Sequence, residues 1–139
     1  ETVEKLIGVK GNIKKGLMYA ERYPNRAIDE RLKDNIAQFG IKMEYPDPDM
    51  KYGGSDIGNV SLKIPSIHSY IKIADKGVNS HSIDFTKAAN SPRAHEQMIK
   101  AAMAMALTGY EILTDENLRR EIQEEFNSNV PKYSEEELR

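Results

Sequence analysis

Residues 91–113 constrain the fold more than any other stretch of the chain. Ser91-Pro92 is a helix start: a capping hydroxyl, then proline at the first helical position, where a missing N–H is no loss. Beyond it, Ala94, Met98, Ala101 and Met105 form one apolar stripe, and Ile99, Met103, Ala106 and Tyr110 form a second beside it. Two adjacent stripes make a wide apolar face, which predicts a buried helix lying on a sheet. The methionines in that face are read as core packing, since thioethers fill irregular gaps well.

The rest of the chain supplies candidate partners. Residues 1–10 read as the end of a helix stopped by Gly8 and Gly11, and Gly16 to Tyr23 as a strand. Asn25 is an N-cap, and Ile28, Leu32, Ile36 and Phe39 share one face of a helix over 26–39 that Gly40 ends. Ile41, Met43 and Tyr45 alternate with Lys42 and Glu44, a half-buried strand pattern, before the rigid loop Pro46-Asp47-Pro48-Asp49. Residues 55–61 predict a short helix capped by Ser55 or Asp56, and Ile64 to Ala74 a strand with Pro65 at its start. Asp115 caps a last helix on which Leu118, Ile122 and Phe126 align; Glu124-Glu125 read as its solvated face. The order is helix, strand, helix, strand, strand, helix, helix, which reads as an α/β or α+β layered domain.

Composition narrows the function. The 139 residues suit one domain, and a net charge of -2 with interspersed signs leaves no footprint for nucleic acid and no polybasic membrane patch. No apolar run approaches the ~20 residues of a membrane span, and the charged start Glu1-Thr2-Val3-Glu4-Lys5 is no signal peptide. Cysteine is absent, which suits a reducing compartment, so a cytoplasmic location is expected. The chain opens without methionine, and a fragment of a longer protein is expected.

Chemistry-bearing residues are few. His81 lies in Asn79-Ser80-His81-Ser82-Ile83-Asp84-Phe85, where small polar neighbours leave the imidazole accessible and Phe85 anchors the turn. A histidine on a strand-to-helix turn is a common metal donor, yet no HxxEH or similar cluster completes a site. Gly53-Gly54-Ser55-Asp56-Ile57-Gly58-Asn59-Val60-Ser61 combines glycines that admit close backbone approach with Ser, Asp and Asn donors and acceptors. It lacks the Gly-Lys-Ser/Thr ending of a phosphate loop and the glycine spacing of a dinucleotide fingerprint, and composition alone favours a turn followed by a capped helix. His68 shares a strand face with Tyr70 and Lys72, and His95 reads as structural.

Taken in order, Gly53 to Ser61, Ile64-Pro65-Ser66-Ile67-His68 and His81-Ser82-Ile83-Asp84-Phe85 resemble the C-terminal half of the aminoacylase/carboxypeptidase superfamily of two-metal amidohydrolases. The resemblance is to the branch with aminobenzoyl-glutamate hydrolases and dipeptidase-like members. Tyr23-Pro24-Asn25-Arg26 is similar to the family's return from its lid domain, and the likeness covers most of residues 20–128. It implies an α/β fold, the C-terminal part of a zinc-peptidase-like three-layer catalytic domain over 24–139, with 1–23 the end of an α+β lid domain that dimerises many members. It implies two zinc ions per complete site (manganese or cobalt in some members), His81 as the last metal ligand, and Ser55, Asp56, Asn59 and His68 as substrate-binding or supporting residues. Gly54 stands where the family has serine, and Ile83 where it has proline.

The family's other ligands, bridging aspartate and general-base glutamate belong to an N-terminal half outside this chain. No catalytic residue is therefore assigned here, and one imidazole cannot hold a catalytic zinc. The expected function is the C-terminal portion of a metal-dependent amidohydrolase cleaving an amide of a small N-acyl amino acid or dipeptide-like substrate, inactive alone. The competing readings are a non-catalytic globular module and a subunit that completes a site with a partner chain.

Overall fold

The computed structural model describes residues 2–8, 10–12, 14, 16, 18–45 and 54–133. Six helices follow in order among them: α1 (Thr2–Ile7), α2 (Arg26–Ala37), α3 (Ile57–Ser61), α4 (Ile83–Ala89), α5 (Pro92–Thr114) and α6 (Glu116–Asn129). Their starts are written locally. Asn25, Ser82, Ser91 and Asp115 each accept backbone N–H bonds from the first turn of the helix they precede. Gly8 and Gly40 stop α1 and α2 in the left-handed region, at φ +69° and +75°.

The core is the meeting of α2, α5 and α6. Leu32 and Ile36 of α2 bury against Ala104 of α5, with Phe39, Ile41, Met43, Ile67 and Ile71 packed around them. Leu118 and Ile122 bury the inner face of α6. Polar side chains tie the three helices together. Asn35 of α2 donates to Thr108 Oγ1 (3.0 Å) and Glu111 Oε2 (2.8 Å) of α5. Asn25 donates to the Ile122 carbonyl (3.0 Å) while its Oδ1 accepts from Ile28 N. Glu125, expected on a solvated face, instead reaches across from α6 and accepts from Arg26 N (2.7 Å) and Ala27 N (2.9 Å). Its carboxylate sits on the positive end of α2, satisfying two N–H groups that a helix start leaves unpaired.

The α/β expectation is overturned. No strand or sheet forms among the described residues; the one β-like pairing is an isolated parallel bridge between Pro24 and Ser66, with Asn25 N bonded to Ser66 O at 3.0 Å. Of the segments expected as strands, neither 41–45 nor 64–74 nor the described part of Gly16 to Tyr23 forms a ladder. The cause is visible where two of them meet. Pro24 and Pro65 bring no N–H to a ladder at that point. The backbone groups of 18–23 are taken by side chains of α3 instead: Asn59 bonds Met18 O and Ala20 N, and Ser61 bonds Tyr23 N. The three-layer α/β fold therefore gives way to a helical assembly. The expected burial of α5 is corrected with it. Without a sheet to lie on, α5 buries only Ala94, Ala104 and Thr108, on the side facing its helical neighbours. Met98, Ile99, Met103, Met105 and Tyr110 stay exposed.

Candidate functional site

The polar motif that opens near Gly54 is built around close contact with the 18–23 segment; Gly53 itself lies outside the described residues. Gly58 is buried under that segment. A Cβ at this position would stand 1.9 Å from the Ala20 carbonyl oxygen and 2.7 Å from its carbon, so only glycine fits. Next to it, Asn59 acts as a strand edge would: Nδ2 donates to Met18 O (3.0 Å) and Oδ1 accepts from Ala20 N (3.3 Å). Ser61, buried, accepts from Tyr23 N (3.0 Å) and donates to Gly58 O (2.8 Å). Ser55 stands at the start of α3, where its Oγ accepts from Ile57 N (3.3 Å) and donates to Asp56 Oδ1 (3.4 Å). Asp56 is exposed.

Pinned this way, the segment carries Arg22 to His68. Arg22 Nη1 donates to His68 Nδ1 (3.3 Å) and to the Tyr70 hydroxyl (3.5 Å). The His68 and Tyr70 rings lie 4.9 Å apart at 31°. A guanidinium can only donate, so Nδ1 accepts, and the proton of the neutral ring sits on Nε2. Ser69, between them, donates to Asp29 Oδ1 of α2 at 3.4 Å. Burial raises the Asp29 carboxyl above its usual range, against the lowering by Ser69 and Arg26. The structure thus joins Asn59 and His68 through the 18–23 segment. Arg22 was missed from the sequence because nothing in one chain signals a contact made 46 residues away.

His81 is placed apart, on the turn before α4. Ser82 shapes that turn: its Oγ donates to Asn79 O (2.7 Å) and accepts from Phe85 N (3.1 Å). His81 is the single non-glycine residue with positive φ among those described, at 62°, and its side chain is exposed. A non-glycine residue in this region costs about 1–3 kcal/mol and persists where the surroundings impose it. The turn presents the imidazole outward, which suits a donor to a metal. Yet no group of three His, Asp or Glu side chains gathers at a metal-sized point among the described residues.

A shallow groove between Arg22–Asn25 and the end of α6 holds about 170 Å³, below the ~300–1,000 Å³ of ordinary ligand pockets. No described helix is long and apolar enough to cross a membrane.

No family model matches the chain. Over 110 residues, 78% of its length, it is 30% identical to the Xaa-Arg dipeptidase of Homo sapiens. Over the same length it is 29% identical to the Xaa-Arg dipeptidase of Mus musculus. The matched stretch is 25% of each relative, so the chain spans about a quarter of the curated relatives it matches. The sequence relationship is to dipeptidases, over part of a chain.

Proposed function

We propose that this chain is the C-terminal portion of a metal-dependent amidohydrolase that cleaves dipeptides or N-acyl amino acids, with residues 24–139 in its catalytic part and 1–23 at the end of its lid. The observation that carries the reading is the 110-residue similarity to Xaa-Arg dipeptidases, of which this chain spans a quarter. The name of those relatives makes a dipeptide ending in arginine the first substrate to try. The exposed His81 supports it as one of several metal donors, the others coming from the missing N-terminal half of the enzyme. The thin core supports a larger unit too. Among the described residues the buried apolar side chains are Leu32, Ile36, Ala94, Ala104, Leu118 and Ile122, with no aromatic among them.

Zinc ions, when bound, supply the Lewis acidity that amide hydrolysis needs. This chain's residues do the positioning. The turn closed by Ser82 holds the His81 imidazole outward, and the Asn59 clamp sets the segment that carries Arg22 to His68. The 139-residue chain alone is expected to be inactive. The test is to assay the natural gene product that contains this chain on dipeptides ending in arginine and on N-acyl amino acids, before and after chelation. His81→Ala should lower hydrolysis by more than the ~10–100-fold that loss of an outer-shell partner costs. Full activity in that variant refutes the ligand role, and absence of both hydrolyses refutes the enzyme reading.

A further inference from the structure

We infer that the outer face of α5 is the seat on which the rest of the enzyme docks; this rests on the reading that the chain is part of a larger dipeptidase-like unit. Met98, Ile99, Met103, Met105, Tyr110 and Leu113 are 46–78% exposed. At 100° per residue they fall within one arc of about 160°. Ala102, Ala106 and Gly109 lie along its middle, where small side chains let a neighbour come close. The charged residues of this stretch are turned elsewhere: Lys100 pairs with Glu96 at 2.7 Å, and Glu111 faces Arg31 and Asn35 of α2.

Size and chemistry identify the occupant. The arc exposes on the order of 700 Å² of apolar surface, close to the ~800 Å² per partner of a standard interface and above the ~300–600 Å² of the largest patch on a typical monomer. A surface free of charge along its length suits a dry protein contact, not nucleic acid or anionic lipid. The chain spans 25% of the relatives it matches, so by that measure three times its matched length is left to cover the face. The occupant is that remaining polypeptide, presenting an apolar face of its own.

The methionines make the test direct. In the natural gene product, peroxide oxidation of Met98, Met103 and Met105 is followed by mass spectrometry, relative to the same protein unfolded in guanidinium. Docking predicts at least tenfold protection at all three, independent of protein concentration. Oxidation at the unfolded rate overturns the inference. Protection that appears only as concentration rises, with a doubling of mass in sedimentation, assigns the face to a second copy and also overturns it. Dipeptide hydrolysis is measured on the same sample. Protection without hydrolysis leaves the interface standing and refutes the enzyme reading; hydrolysis with exposed methionines does the reverse.

Discussion

Replacing Gly58 by alanine tests the central contact of the polar motif. The added Cβ would lie 1.9 Å from Ala20 O and 3.2 Å from Glu21 O, and both are backbone atoms that cannot rotate aside. The 18–23 segment must therefore retreat by more than an ångström, which pulls Met18 O and Ala20 N away from Asn59. Overpacking costs about 1–3 kcal/mol, and two lost hydrogen bonds cost about 1 kcal/mol each. Against this, alanine gains up to about 1 kcal/mol over glycine within a helix. The net expectation is a loss of about 2–4 kcal/mol in urea unfolding followed by far-UV circular dichroism. Gly109 in α5 is the control, because a Cβ there meets nothing within 4 Å; Gly109→Ala in the 139-residue chain should stabilise by up to about 1 kcal/mol. If Gly58→Ala is as stable as the parent, the close approach of the two segments is wrong.

Two further substitutions probe the helix joints. Glu125→Ala should cost about 1–2 kcal/mol, as loss of a helix cap does, and Glu125→Gln less, since it keeps one acceptor; unfolding curves that do not move would return Glu125 to the solvent. Asp75, bonded to Arg93 at 2.9 Å, has its carboxyl held below the usual range, first by that hydrogen bond and then by the guanidinium charge. Its folded pKa lies below the unfolded one, so the pairing stabilises fully above the unfolded value, ~3.9, and is lost as pH falls through the folded value. Carbon-13 titration of the Asp75 carboxyl should show the depression, and Arg93→Gln should remove it; an unchanged titration contradicts the pair.

What the sequence reveals and what it conceals divide by range. Helix starts are local chemistry, so Asn25, Ser91 and Asp115 cap the helices their identities predict. The alternation of Ile41, Met43 and Tyr45 is equally local and yet yields no strand, because a strand exists only through a neighbour's hydrogen bonds. Likewise the stripes of α5 report an apolar face, not what covers it. Glu125 and Arg22 act on residues 98–99 and 46 positions distant, and no periodicity encodes such a contact.

The same ambiguity runs through the 54–61 motif. Glycine for close approach and asparagine for paired hydrogen bonds serve a ligand or a backbone equally well. Here geometry commits them first to backbone: Asn59 gives one amide hydrogen and one carbonyl lone pair to Met18 and Ala20, leaving one of each for any other partner. Ala20 is two residues from Arg22, and Arg22 meets His68. A change at Asn59 thus reaches His68 through the segment it holds, without touching the ring. Variants at Asn59 and Arg22 then separate the two roles. If Asn59→Ala alters hydrolysis only through position, Arg22→Ala reproduces its effect and the double variant adds little. Additive losses would mean that Asn59 meets the substrate itself.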